Sequence, residues 1–92
     1  MNSRTPLIAG NWKMYKSGVE AVETARQLQE LVKTAKDTDI MIAPPFTALF
    51  QVSEIVSNGP VGLGAQNLYW EEEGAFTGEI SPSMLKAAGC QY

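Results

Sequence analysis

An α/β fold built on a parallel sheet is the architecture this sequence predicts, and three observations predict it. Short apolar runs, Leu7-Ile8-Ala9-Gly10, Ile40-Met41-Ile42-Ala43 and the stretch beginning at Val61, alternate with longer stretches whose apolar residues recur at helical spacing. The middle run is continuously apolar rather than alternating, as expected when both faces of a parallel sheet are covered. Proline and glycine clusters (Pro44-Pro45, Asn58-Gly59-Pro60, Ser81-Pro82) punctuate the changes from one kind of stretch to the other.

The first strand is read as Leu7–Asn11. Val19, Val22, Ala25, Leu28, Leu31, Val32 and Ala35 then follow at helical period, which predicts a helix from about Gly18 to Thr34. Ser17 with Glu20 three residues later fits a capping box, each side chain satisfying a free backbone N–H of the other. The second strand, Ile40–Ala43, ends at Pro44-Pro45, because neither proline can donate to a ladder. Ala48, Leu49, Val52, Ile55 and Val56 mark a second helix, and Asn58-Gly59-Pro60 is expected to stop it with a pair tolerant of positive φ.

A third strand is expected over Val61–Gln66. Gly62 and Gly64 alternate there with Val61, Leu63 and Ala65, leaving one face almost bare. The Gly-x-Gly pair lacks the third glycine and the immediate helix of a dinucleotide fingerprint, so small residues at a crowded interior are the better reading. Residues 68–80 form a loop longer than the 2 to 6 residues usual for such connections, which points to function or disorder. Ser81-Pro82 reads as N-cap and first helical residue, Met84 to Ala88 as a short helix and Gly89 as its stop.

Ten acidic and seven basic side chains give a net charge of −3, with no basic footprint for nucleic acid. One cysteine precludes an internal disulfide, and residues 1–6 lack the apolar core of a signal peptide, so a cytoplasmic location is the default expectation. No apolar stretch approaches the roughly 20 residues that span a bilayer. The sequence contains no histidine, which removes the commonest general acid/base and, with a single cysteine, makes a metal site an expected absence.

The chemistry-bearing segment is Asn11-Trp12-Lys13, one amide and one ammonium where a strand stops and a loop begins. Ligands of parallel α/β proteins collect at the carboxyl ends of strands, so this is an anion site in outline, although a lone lysine in such a place is usually a solvated charge. It has company. Ala9-Gly10-Asn11-Trp12-Lys13-Met14 resembles the first strand and loop of the triosephosphate isomerase family. Ala43-Pro44-Pro45-Phe46-Thr47 is similar to the end of that family's second strand. Gly64-Ala65-Gln66-Asn67, with Gly74-Ala75-Phe76-Thr77-Gly78-Glu79-Ile80-Ser81, resembles its third strand and long third loop. The likeness runs from Pro6 to Tyr92.

The resemblance implies a (β/α)8 TIM barrel of which this chain is the N-terminal β1α1β2α2β3α3 part, residues 1–92 forming a single partial domain. A whole barrel takes about 250 residues, so a fragment is expected, with Cys90 and Tyr92 looking like the opening of a fourth strand. An inner barrel face built from Ile8, Ile42 or their neighbours is expected to lack its opposite wall. The family interconverts dihydroxyacetone phosphate and D-glyceraldehyde 3-phosphate through an enediolate in glycolysis and gluconeogenesis, without a cofactor. In that family a glutamate serves as the base and a neutral histidine as the electrophile, a standard example of acid/base tuning.

In this chain the resemblance implies Lys13 as a catalytic and substrate-binding cation and Asn11 as a substrate-binding amide. The family's histidine and glutamate lie beyond the matched motifs, so the 92-residue chain is expected to be inactive alone. The resemblance further implies a homodimer in which the third loop inserts into the neighbouring subunit. It places Met14, Phe76, Thr77, Gly78 and Glu79 at that interface, Glu79 matching a glutamate that pairs with an arginine further on in the family. No nucleic-acid or membrane partner is expected. The alternatives are a stand-alone α/β module binding phosphate at Lys13, and a structural piece whose loop serves association.

Overall fold

The computed structural model describes residues 4–92. Its elements are β1 (Leu7–Asn11), α1 (Gly18–Val32), β2 (Asp39–Ala43), α2 (Leu49–Val56, entered through a 3₁₀ turn at Phe46–Ala48), β3 (Val61–Leu63) and α3 (Pro82–Ala87). The sheet order is β1-β2-β3 and both pairings are parallel. Leu7 to Asn11 lie opposite Asp39 to Ala43, and Ile40 to Ile42 opposite Val61 to Leu63. All three expected strands are present with the expected direction. β3 is three residues shorter than Val61–Gln66, although the Gly64 N–H still donates to the Ile42 carbonyl at 2.8 Å.

Side chains alternate across a strand, so this register sorts them into two faces. Ile8, Gly10, Ile40, Ile42, Val61 and Leu63 share one face; Leu7, Ala9, Asn11, Met41, Ala43, Gly62 and Gly64 share the other. The first face carries the core, where Ile42, Val61 and Leu63 are buried against Ala21 and Ala25 of α1 and Leu49, Val52 and Val56 of α2. Two alanines on α1 let the helix lie close to the sheet, while the branched residues of α2 fill the remaining space. This corrects the expected inner face: Ile42 packs against the helices, and the register puts the exposed Ile8 on the same face. A period of two defines two faces without saying which one the helices cover.

The second face confirms the crowding reading of the glycines. A Cβ on Gly64 would collide with the terminal methyl of Met41, and one on Gly62 would stand 2.8 Å from the Tyr92 ring. Tyr92 belongs to a segment that runs beside β3 without becoming a regular strand. The Gln91 and Tyr92 N–H groups donate to the Leu63 carbonyl at 2.8 and 3.2 Å, and the Ala65 N–H donates to the Tyr92 carbonyl at 3.1 Å.

Two helix-end expectations are corrected. Ser17 is the N-cap of α1 with extended backbone, yet its side chain caps nothing. Glu20 instead faces the Lys16 ammonium at 3.6 Å, a charged partner that replaces the backbone N–H. At the end of α2, neither Asn58 nor Gly59 has positive φ. The chain leaves in right-handed geometry through Ser57, whose N–H donates to the Ser53 carbonyl. Gly59 is required there for room: the side-chain amide of Gln29 occupies the place of its missing Cβ while donating to the Ile55 carbonyl at 3.0 Å.

At α3 the expectation holds. Ser81 Oγ accepts from the Met84 N–H at 3.2 Å, Met84 Sδ accepts from the Ser81 N–H at 3.4 Å, Pro82 opens the helix, and Gly89 leaves it at φ +107°. The whole is a slab with principal extents of 44 × 39 × 21 Å.

Candidate anion site at the strand ends

β1 ends at Asn11, and the chain keeps to the sheet for one more residue because the Trp12 N–H donates to the Ala43 carbonyl at 3.1 Å. The Trp12 ring packs against the core and anchors the turn. Immediately after this anchor, Lys13 adopts φ +57°, the left-handed region. That conformation costs a non-glycine residue on the order of 1–3 kcal/mol and persists only where neighbouring groups impose it. Two such groups are present. Asn11 Oδ1 accepts from the Lys13 N–H at 2.8 Å, and Gln66 Nε2 donates to the Lys13 carbonyl at 2.8 Å.

The same Gln66 nitrogen donates to the Ala43 carbonyl, also at 2.8 Å. One amide from the segment after β3 therefore ties the loop after β1 to the end of β2. Because its Oδ1 is engaged with the Lys13 backbone, Asn11 keeps its side-chain N–H groups free to donate elsewhere. Lys16, three residues on and also left-handed at φ +68°, is paired with Glu20. Lys13 has no carboxylate partner among the described residues.

An open cleft of about 550 Å³ adjoins this turn, walled by Lys13, Met14, Pro45, Phe46, Thr47 and Gln66. It lies at the carboxyl ends of the strands, the side where parallel α/β sheets bind ligands. An unpaired ammonium and a free amide in such a place can hold a phosphate or stabilise an oxygen that gains negative charge. Their strength depends on surroundings: at 4 Å two unit charges interact by about 1 kcal/mol in bulk water but about 4 kcal/mol at an effective dielectric constant of 20. Lys13 is exposed in this arc, so its present setting is the weaker one.

Among the described residues, no carboxylate or imidazole lines the cleft. Histidine is absent from the sequence, Glu20, Glu23 and Glu30 lie on α1, Glu54 on α2, and Glu71, Glu72, Glu73 and Glu79 on the long loop. That loop is ordered by its own contacts. The Tyr69 N–H donates to the Ile80 carbonyl at 2.7 Å, closing its base, and the Tyr69 and Phe76 rings lie 4.8 Å apart. Gly74 at φ +147° admits the Phe76 ring, and the Glu79 N–H donates to the Phe76 carbonyl across Thr77-Gly78, with Gly78 at φ +90°.

Asn11 and Lys13 are thus brought together, with Met14 on the cleft wall, while Phe76, Thr77, Gly78 and Glu79 stand on a separate exposed loop. Gln66 is the site residue that sequence analysis did not assign. Cys90, half-buried beside β3, has its thiol pushed above the ordinary range by desolvation and lies away from the Lys13 cleft.

Parallel strands, each followed by a helix, with polar groups gathered at their carboxyl ends, define the opening arc of a parallel β/α barrel. The family pattern described as triosephosphate isomerase matches residues 6–92. The triosephosphate isomerase of Chloroflexus aurantiacus is 54% identical over 89 residues, which cover 97% of this chain and 36% of the relative. That of Geobacter metallireducens is 51% identical with the same coverage. The crystal structure of triosephosphate isomerase from Bartonella henselae superposes with a TM-score of 0.90 at 34% identity, covering 97% of this chain and 36% of that one. The chain belongs to the triosephosphate isomerase family, and it spans little more than a third of the length of these relatives.

Proposed function

We propose that this chain forms the first three βα units, a single partial domain over residues 1–92, of an enzyme that interconverts dihydroxyacetone phosphate and D-glyceraldehyde 3-phosphate. The observation that carries the reading is the left-handed Lys13, unpaired and set beside Asn11 at the end of β1. In the closed barrel Lys13 holds the substrate phosphate and stabilises the oxyanion that develops as a proton leaves carbon. Asn11 donates its free N–H to the same oxygens. Enclosure by the remaining strands raises the value of both by excluding water. The base and the electrophile that move the proton come from outside this chain.

The loop 68–80 stands exposed, and membership of the family supports a homodimer in which Phe76, Thr77, Gly78 and Glu79 of one copy meet the cleft and Met14 of the other. A cytoplasmic place in glycolysis and gluconeogenesis accords with the family. No described helix is long and apolar enough to cross a membrane.

The test is a chimera in which residues 6–92 replace the matching part of the Chloroflexus aurantiacus enzyme. The chimera is expected to turn over triose phosphate, its Lys13→Ala variant to lose measurable turnover, and its Thr77→Ala variant chiefly to dissociate. The isolated chain, freed of host isomerase, is expected to be inactive. Near-normal turnover after Lys13→Ala refutes the role given to Lys13.

A further inference from the structure

We infer that Gln66 is a positioning residue for Lys13, acting on the lysine backbone rather than on a ligand; the inference rests on the role proposed for Lys13. Both donors of the Gln66 amide nitrogen are committed, one to the Lys13 carbonyl and one to the Ala43 carbonyl, each at 2.8 Å. What remains on the amide is an acceptor oxygen, which offers nothing to a phosphate or an oxyanion. Gln66 is therefore unsuited to hold the anion itself, although it lines the same cleft.

Its position suits a clamp. Lys13 is left-handed at φ +57° and is gripped at both ends of its own residue, at the N–H by Asn11 and at the carbonyl by Gln66. The Asn11 bond is local, spanning two residues, and survives many loop conformations. The Gln66 bond joins segments 53 residues apart and ties the turn to the end of β2. With that donor removed, the left-handed turn loses the contact that fixes it relative to the sheet. The ammonium then moves by about an ångström or more, a displacement that costs on the order of 10²-fold in rate when it affects a reacting group.

The experiment uses the barrel chimera with Gln66→Met, which keeps the length without a donor, and Gln66→Glu, which keeps the shape and has a donor only when protonated. Carbon chemical shifts and the amide coupling constant of Lys13 report its backbone conformation, and kcat/KM is measured from pH 4.5 to 8. In both variants Lys13 is expected to leave the left-handed region and kcat/KM to fall by roughly 10²-fold at neutral pH. The Glu variant is expected to regain activity, relative to the unsubstituted chimera at the same pH, as its carboxyl takes up a proton toward its ordinary value of about 4.3. A mere packing defect would show no such recovery. Retention of the left-handed Lys13 in both variants overturns the inference. A displaced Lys13 with undiminished turnover upholds the clamp and refutes instead the role proposed for Lys13.

Discussion

Strands β1 and β2 are equally long and paired residue for residue, yet they live in different surroundings. β2 buries Met41, Ile42 and Ala43, whereas no residue of β1 is buried and Ile8 is 62% exposed. Their compositions do not explain this, since Leu-Ile-Ala is as apolar as Ile-Met-Ile. Position does. β2 has a strand on each side and helices over one face; β1 has a strand on one side only among the described residues. Burial is conferred by neighbours, and the strand that carries Asn11 and leads into Lys13 is the one with fewest.

Two isoleucines on the same face, Ile42 and Ile8, report the difference between the strands most directly. Ile42→Ala is expected to destabilise the chain by about 2–5 kcal/mol, the range for a buried residue whose loss leaves a cavity. Ile8→Ala should cost less than about 1 kcal/mol, because most of that side chain is already in water. Urea titration followed by circular dichroism gives both numbers. Equal costs would show that the β1 face is covered in solution.

A smaller effect sharpens the picture of the covered side. Gly59→Ala drives a methyl into the Gln29 amide at the joint of α1 and α2, at an expected 1–3 kcal/mol, roughly the cost of overpacking. If Gln29→Ala in the same background restores the loss, the clash is the cause. Smaller again is Ser81→Ala, which removes the side-chain cap of α3 and should cost about 1 kcal/mol. Ser81→Asp should recover most of it, readable as a shift in the thermal midpoint. The smallest is Glu30→Ala, whose partner Lys33 is exposed like itself; a change beyond about 0.5 kcal/mol would mean that the pair is less solvated than it is here.

Those same residues divide what could be read in the sequence from what could not. The three strands, the helices and the Ser81-Pro82 start rest on periodicity and on local backbone chemistry, and they were legible. Asn11 and Lys13 were legible as a pair because a single residue, Trp12, separates them. Gln66 was not, since its bond to Lys13 spans 53 residues and no local pattern encodes a long-range partner. The left-handed φ of Lys13 was hidden for the same reason. The capping box at Ser17 failed because Glu20 had a charged competitor at Lys16, and the role of Gly59 was missed because the Gln29 side chain that needs its space comes from another helix.

The thinness of the slab has a consequence in surface area. A globular chain of 10.0 kDa exposes about 5,240 Å² by the usual scaling of area with mass. This one exposes 6690 Å², an excess of roughly 1,450 Å². Its radius of gyration of 14.0 Å likewise exceeds the roughly 12 Å of a rounded domain of this length. A standard protein–protein interface covers about 800 Å² on each partner, and permanent ones cover considerably more. The surplus on this arc is thus of the size that obligate subunits hide from water, which makes the thin slab resemble half of a divided core more than the surface of a free-standing protein.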